Sequence, residues 1–408
     1  MNARVLIRFV VVVVALWVCP PAGAQPEVVF ESPNEFLVVE GQHCGKKSHD
    51  EENPFEKFFD NFGVVTNVLD SGAILASTRI NFERQTWELP EYADAGTVFL
   101  NGFSVSYQKK DHHIQGTGAK IDDIEQFGQV LVWDAGIDLR DRNGNDGVDA
   151  CIYFTGVGWN SEAIDVSVDR SYSLVSSSSK KTVPRVNWTV EGSGALDNVV
   201  PVPTAYLFSA DDGDRHLLQL AYSLIPPTFA NPTGTVEAMA ILKDNDDDSD
   251  AYLLSDIDVL QGPGVEVNYD EFRPRPRGKT CGWWPPFVGC VEAPEVFRYP
   301  WGRRVVVRNI RSDFVVPVLV GFDLGYDQND EHVKHIRASV NGMSFDPVLN
   351  QLSYRLTTGL TDKSDHRFVE DTRVMLIGFN RRPGPLPIPE FPIDSRGWPG
   401  TPWRYPPS

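Results

Sequence analysis

Residues 102–114 read GFSVSYQKKDHHI, and the same cadence returns at 205–217 (AYLFSADDGDRHL) and at 321–333 (GFDLGYDQNDEHV). Each stretch opens on a small residue and an aromatic: Gly102-Phe103, Ala205-Tyr206 and Gly321-Phe322. Asp follows the small residue by 9 positions and His by 11, giving Asp111 and His113, Asp214 and His216, Asp330 and His332. The chain holds 8 His in 408 residues, so three in one slot mark a copied unit. The His-to-His spacings of 103 and 116 residues fit one compact domain per copy.

Working outward from these stretches, the signals are β. Residues 97–105, 130–133, 150–157, 183–190, 304–310, 315–324 and 373–379 are short runs rich in Val, Ile, Phe and Thr, separated by Gly, Asp and Asn clusters. Only residues 54–62 (PFEKFFDNF) read as a short helix. The expected fold is all-β: three tandem antiparallel β-sandwich domains followed by a Pro-rich tail. The divisions are an N-terminal arm (25–69), sandwiches at 70–165, 166–262 and 301–382, a linker at 263–300 and the tail at 383–408. The second copy diverges most.

Residues 1–24 read as a secretory signal. Arg4 and Arg8 precede a ten-residue apolar core, and Ala22-Gly23-Ala24 offers small residues at a cleavage site. The core is too short for a membrane span and no later stretch approaches one, so a secreted or periplasmic protein is expected. Cys44, Cys151, Cys281 and Cys290 remain after the signal, an even number that reads as two disulfides. Of the three pairings open to them, Cys281–Cys290 and Cys44–Cys151 are favoured. The formal charge is −19, and removing the signal takes away two arginines and no acids. Such a field disfavours nucleic acid and anionic membranes, and suits cations or neutral glycans.

Hydrolase signatures are absent: there is no GxSxG and no HExxH. Gly278-Lys279-Thr280 lacks the first glycine of a phosphate-binding loop, since Arg273 stands there. Three groups of residues remain as candidates. Asp111 and His113, with their counterparts, offer polar groups for a sugar or other polar ligand. The structural alternative is an Asp that caps a turn and a His packed at the next strand. Trp133-Asp134, matched by Tyr354-Arg355, offers an aromatic face beside a charged group, which a sugar ring accepts; a core aromatic is the alternative. Asp141, Asn143, Asn145 and Asp149 place oxygens at alternate positions of an acidic loop. No cofactor is required; calcium is the metal this loop would take, against the reading of a solvated hairpin turn.

The copies resemble the H-type lectin module, also found at the C-terminus of discoidins. Asp70-Ser71-Gly72 resembles its opening loop and Arg79-Ile80-Asn81-Phe82 the next strand. Asp111-His112-His113-Ile114 falls where the family has an Asn-[Ile/Leu]-Arg motif, and residues 130–134 where it has a Trp-containing strand. The resemblance implies small β-sandwiches that bind galactose-type sugars at the seams of a trimer. Carried across, the contacts are Asp70, Gln115 or Lys334 in the Arg slot, and Trp133 with Asp134. Leu218 fills the Arg slot of copy two, which implies that this copy lacks the site. The expectation is a non-enzymatic carbohydrate-binding protein whose partners are glycans or a surface protein. Its rivals are a structural or adhesive surface protein with the Pro-rich tail as docking segment, and third a glycan-acting hydrolase. The three copies would together mimic the family's trimer within one chain.

Overall fold

The structure is a computed structural model describing residues 26–47, 77–108, 113–140, 147–178, 184–191, 199–210, 217–230, 233–243, 251–272, 280–282, 289–291, 302–326, 332–362 and 368–382. Among them there is no helix, and therefore none long and apolar enough to cross a membrane. The arm supplies β1 (Glu27–Ser32) and β2 (Phe36–Lys47). Copy one supplies β3 (Ser77–Glu88), β4 (Ala95–Tyr107), β5 (Gly116–Phe127), β6 (Val130–Arg140) and β7 (Val148–Trp159). Copy two supplies β8 (Ser167–Ser178), β9 (Arg185–Glu191), β10 (Val199–Ala210), β11 (Gln219–Ala230), β12 (Thr233–Lys243) and β13 (Ala251–Gln261). Then come β14 (Val265–Phe272), a ribbon of β15 (Thr280–Gly282) and β16 (Gly289–Val291), β17 (Arg303–Arg308), β18 (Phe314–Tyr326), β19 (His335–Asp346), β20 (Gln351–Thr361) and β21 (Phe368–Phe379).

These strands form three large antiparallel sheets, ordered β1-β2-β7-β4-β19-β20-β17, β3-β6-β5-β10-β13-β8 and β14-β21-β18-β11-β12-β9. Each sheet is therefore half one copy and half another. Within a copy the two halves face each other, β4 against β5 and β18 against β19, which makes the expected sandwich. Between copies the sheets run on without a break. Copy one donates β5 to β10 of copy two, copy two donates β11 to β18 of copy three, and copy three donates β19 back to β4 of copy one. The ring is closed.

The three seams share one register. Gly102 opposes Ser339, Ala205 opposes Lys120 and Gly321 opposes Ser223, and four further pairs follow in step at each seam. The irregularities repeat as well. The pairing slips once just before each small residue, between Leu100 and Gly102, Pro203 and Ala205, and Leu319 and Gly321. It slips again at Asp122/Glu125, Ile225/Thr228 and Asn341/Ser344. A bulge bends its strand and raises the local twist, so pairs of bulges at equivalent positions bend each sheet at the same two places. A pseudo-threefold axis follows.

Period-two alternation decides which side chains enter the core. In β6, Leu131, Trp133, Ala135, Ile137 and Leu139 are all buried. In β20, Leu352, Tyr354 and Leu356 do the same. The small residue of each repeat also has a physical cause. Gly102 has φ +138°, and a Cβ there would collide with the Ala338 carbonyl of the neighbouring copy. At Gly321 a Cβ would sit 3.0 Å from the Tyr222 carbonyl oxygen, so any side chain there needs its neighbour to give by a few tenths of an ångström.

The Cys44–Cys151 disulfide forms as expected and joins β2 to β7, whose register sets the two residues opposite each other. Cys281 and Cys290 are direct register partners in the β15–β16 ribbon. The segment read as a linker from 263 differs from expectation at its start: Val265–Phe272 pairs with β21 as an edge strand. Its alternation of Val265 and Val267 continues the sheet pattern, and between Pro263 and Pro274 no proline interrupts it. The arm likewise joins a sheet through β2. The signal, the 54–62 helix and the Pro-rich tail lie outside the described residues.

Candidate functional site

The aromatic member of each repeat meets its two counterparts at the axis. Ring centroids of Phe103 and Phe322 are 5.4 Å apart, Phe103 and Tyr206 5.9 Å, and Tyr206 and Phe322 5.6 Å. Phe103 is fully buried, Phe322 and Tyr206 nearly so. Tilted and edge-on pairs of this kind add about 0.5–1.5 kcal/mol each to simple burial. Burial pushes the Tyr206 hydroxyl well above its ordinary pKa. Asn101, at the first bulge, bridges two copies: its Nδ2 donates to the Pro317 carbonyl (3.1 Å) and its Oδ1 accepts from the Leu319 N–H (3.3 Å).

His113 and His332 stand together at the same junction. Their Nε2 atoms are 2.6 Å apart and their rings meet edge-on, 78° between planes. Backbone bonds set this encounter. The Tyr107 N–H donates to the Lys334 carbonyl (3.0 Å), and the Lys334 N–H to the Thr361 carbonyl (2.7 Å). The Tyr326 hydroxyl donates to the His332 carbonyl (3.3 Å). The same bonds recur between copies three and two, from Tyr326 N–H to Leu218 (2.9 Å) and from Leu218 N–H to Lys243 (2.7 Å). His216 lies outside the described residues.

On the sheet face opposite the core, each seam carries its own polar set. At the β11–β18 seam, Gln219 Nε2 donates to both oxygens of Asp323 (2.8 and 2.9 Å). Burial raises the Asp323 carboxyl to about 6, against the lowering effect of Gln219. At the β4–β19 seam His335 takes the place of Gln219 and Arg337 that of Ala221, while Ser104 stands where Asp323 does. Burial takes His335 down to about 4, with Arg337 acting in the same direction. The Arg337 guanidinium lies 5.0 Å above the Tyr153 ring. At the β5–β10 seam, Lys120 Nζ bonds Asp122 at 2.6 Å, and burial raises the Asp122 carboxyl. A small pocket beside this pair is lined by Gly118, Lys120, Gly136, Asp138, Leu207 and Leu254.

The residues expected to bind sugar divide. His113 and Lys334 meet at one junction, where Lys334 Nζ also donates to the Tyr107 carbonyl. Gln115 is buried two residues beyond His113. Asp134 is partly exposed and opposes Asp122 in the β5–β6 register. Trp133 and Tyr354 are corrected: at 1% and 0% exposure they are core residues, and neither ring has a face to offer a ligand. Trp133 packs on Phe154 (5.4 Å) and near His43 (6.3 Å). Asp70 and Asp111 lie outside the described residues, as do Asp141, Asn143 and Asn145 of the calcium loop. Asp149 is described and is engaged by Lys46 (3.6 Å) and Gln108 (3.1 Å). Among the described residues no three His, Cys, Asp or Glu form a metal-holding group.

Sequence reasoning missed the seam residues Asp323, Gln219, His335 and Arg337. One signal was available: in 321–326 the residues Gly, Asp and Gly alternate with Phe, Leu and Tyr, placing Asp323 opposite the core face. No family model, curated protein or solved structure matches this chain.

Proposed function

We propose that this chain is an exported, non-enzymatic recognition protein that binds glycans in lectin-like fashion, using the polar faces of its seams. The observation that carries the reading is the closed ring of three copies in equal register, with buried or half-buried polar side chains on the outer face of every seam. Uncompensated burial of carboxylates and imidazoles is costly, so side chains kept in such places point to a use. Asp323 with Gln219 offers a carboxylate acceptor beside an amide, the pairing that sugar hydroxyls accept. Arg337 beside His335 offers donors at the next seam. Each site alone would be weak, and a ring presenting several sites to one surface would gain by avidity. The ring also agrees with the trimer implied by the H-type lectin resemblance.

A glycan array on the exported chain, beside Asp323→Ala, tests this. Binding that Asp323→Ala weakens supports the reading; no binding on any glycan by the native chain removes it.

A second reading, an adhesive surface protein, is favoured by one observation. Phe127 is 62% exposed at the tip of the β5–β6 hairpin, and Val348 and Leu349 are 89% and 66% exposed at the equivalent β19–β20 tip. Apolar tips at matching places suit a protein surface. Phe127→Ser with Val348→Ser should abolish partner capture while leaving glycan binding unchanged if this reading holds.

A further inference from the structure

We propose that His113 and His332 bind a borderline transition-metal ion, of the zinc, cobalt(II) or nickel class, through their facing Nε2 atoms, pinning copy three to copy one. The slot is the one the repeat keeps: His in all three copies, with 8 His in the whole chain. The two imidazoles are more than two hundred residues apart in sequence, and their Nε2 atoms still converge to 2.6 Å. That is shorter than an ordinary N–H···N contact, and at most one of the two nitrogens can carry a hydrogen there. Two imidazole ligands on a tetrahedral ion at about 2.0–2.1 Å would stand about 3.3 Å apart. The rings need separate by less than about 1 Å to admit it, after which both lone pairs are used rather than one. Imidazole is the ligand such ions prefer, whereas calcium would take carboxylates.

The surroundings fit. The Lys334 backbone is fixed at both N–H and C=O, and the His332 carbonyl accepts from Tyr326, so the backbone that carries the ligand is held before any ion arrives. The chain's formal charge of −19 favours cation capture. Two imidazoles leave further coordination positions for water or another side chain. This inference does not depend on the glycan reading and leaves it untouched if it fails.

The exported chain without a histidine tag, stripped with chelator, is titrated with zinc chloride by calorimetry. One ion per chain is expected, with Kd of about 1 μM or tighter and a rise in melting temperature on loading. His113→Gln and His332→Gln should each weaken binding at least about tenfold, while His335→Gln leaves it unchanged. Absence of binding by the native chain up to about 1 mM zinc overturns it, as does equal binding by native chain and both variants. Should the variants fail to fold, the native chain decides. Zinc must protect His113 and His332 from diethyl pyrocarbonate, read by mass spectrometry, and unchanged modification at both overturns the proposal.

Discussion

Replacing Phe322 by Ala tests whether the three copies are one cooperative body. The ring is 1% exposed and lies 5.4 Å from Phe103 and 5.6 Å from Tyr206, each in a different copy, and 6.4 Å from Tyr222. Removing a fully buried phenylalanine costs about 3–5 kcal/mol, transfer and cavity together. The strands around it belong to continuous sheets, so the cavity can collapse only by moving two seams at once, which places the cost toward the upper end. At about 2.1 cal/mol/K per residue over the roughly 260 described residues, unfolding entropy is about 0.5 kcal/mol/K, so the melting temperature should fall by about 6–9 °C. Scanning calorimetry reads this directly. The native chain should give one transition, and Phe322→Ala one transition moved as a whole. Two or more native transitions, with only one shifted by the substitution, would refute a shared core and mean that the sandwiches unfold independently.

Three further outcomes follow from the same architecture. Replacing Cys44 and Cys151 by Ser opens a loop of 107 residues and should cost about 4–5 kcal/mol, measured by urea unfolding with and without reductant. Gly102→Ala should destabilise more than Gly321→Ala, because its backbone has positive φ and its Cβ meets the Ala338 carbonyl, whereas copy two already carries Ala205 in the slot; paired thermal melts decide, and equal losses would contradict it. Burial raises Asp323 from 3.8 to about 6 and Glu370 from 4.5 to about 7, so the folded chain holds protons that the unfolded chain releases. Their contribution is present at acid pH and is lost as pH rises, between about 4 and 6 for Asp323 and about 4.5 and 7 for Glu370. Asp323→Asn should flatten the first part of that slope in melts at fixed ionic strength, and an unaltered slope would count against a buried carboxyl.

Much of the fold was legible because the repeat carries its own geometry. The spacing repeats because the same bulge and the same seam register recur at Gly102, Ala205 and Gly321. Exchange of strands between copies was not legible. Alternation tells which side of β5 is apolar but not whether β4 or β10 lies beside it, since both edges offer the same backbone groups. The candidate site was read less well for a related reason. Trp133-Asp134 looks like a sugar platform in isolation, yet Leu131, Trp133, Ala135, Ile137 and Leu139 share one parity, and that parity is the core. His113 is visible in the sequence as a repeated feature, but its meeting with His332 depends on ring closure between the first and last copies.

Closure within a single polypeptide has one further effect. In an assembly of identical subunits every substitution is made three times, and all junctions must stay alike. Here each junction is encoded separately, and the three differ: an acid and an amide at one, an imidazole and a guanidinium at the next, an ammonium and an acid at the third. A single chain is under no obligation to be symmetric in chemistry while it repeats one register at every junction.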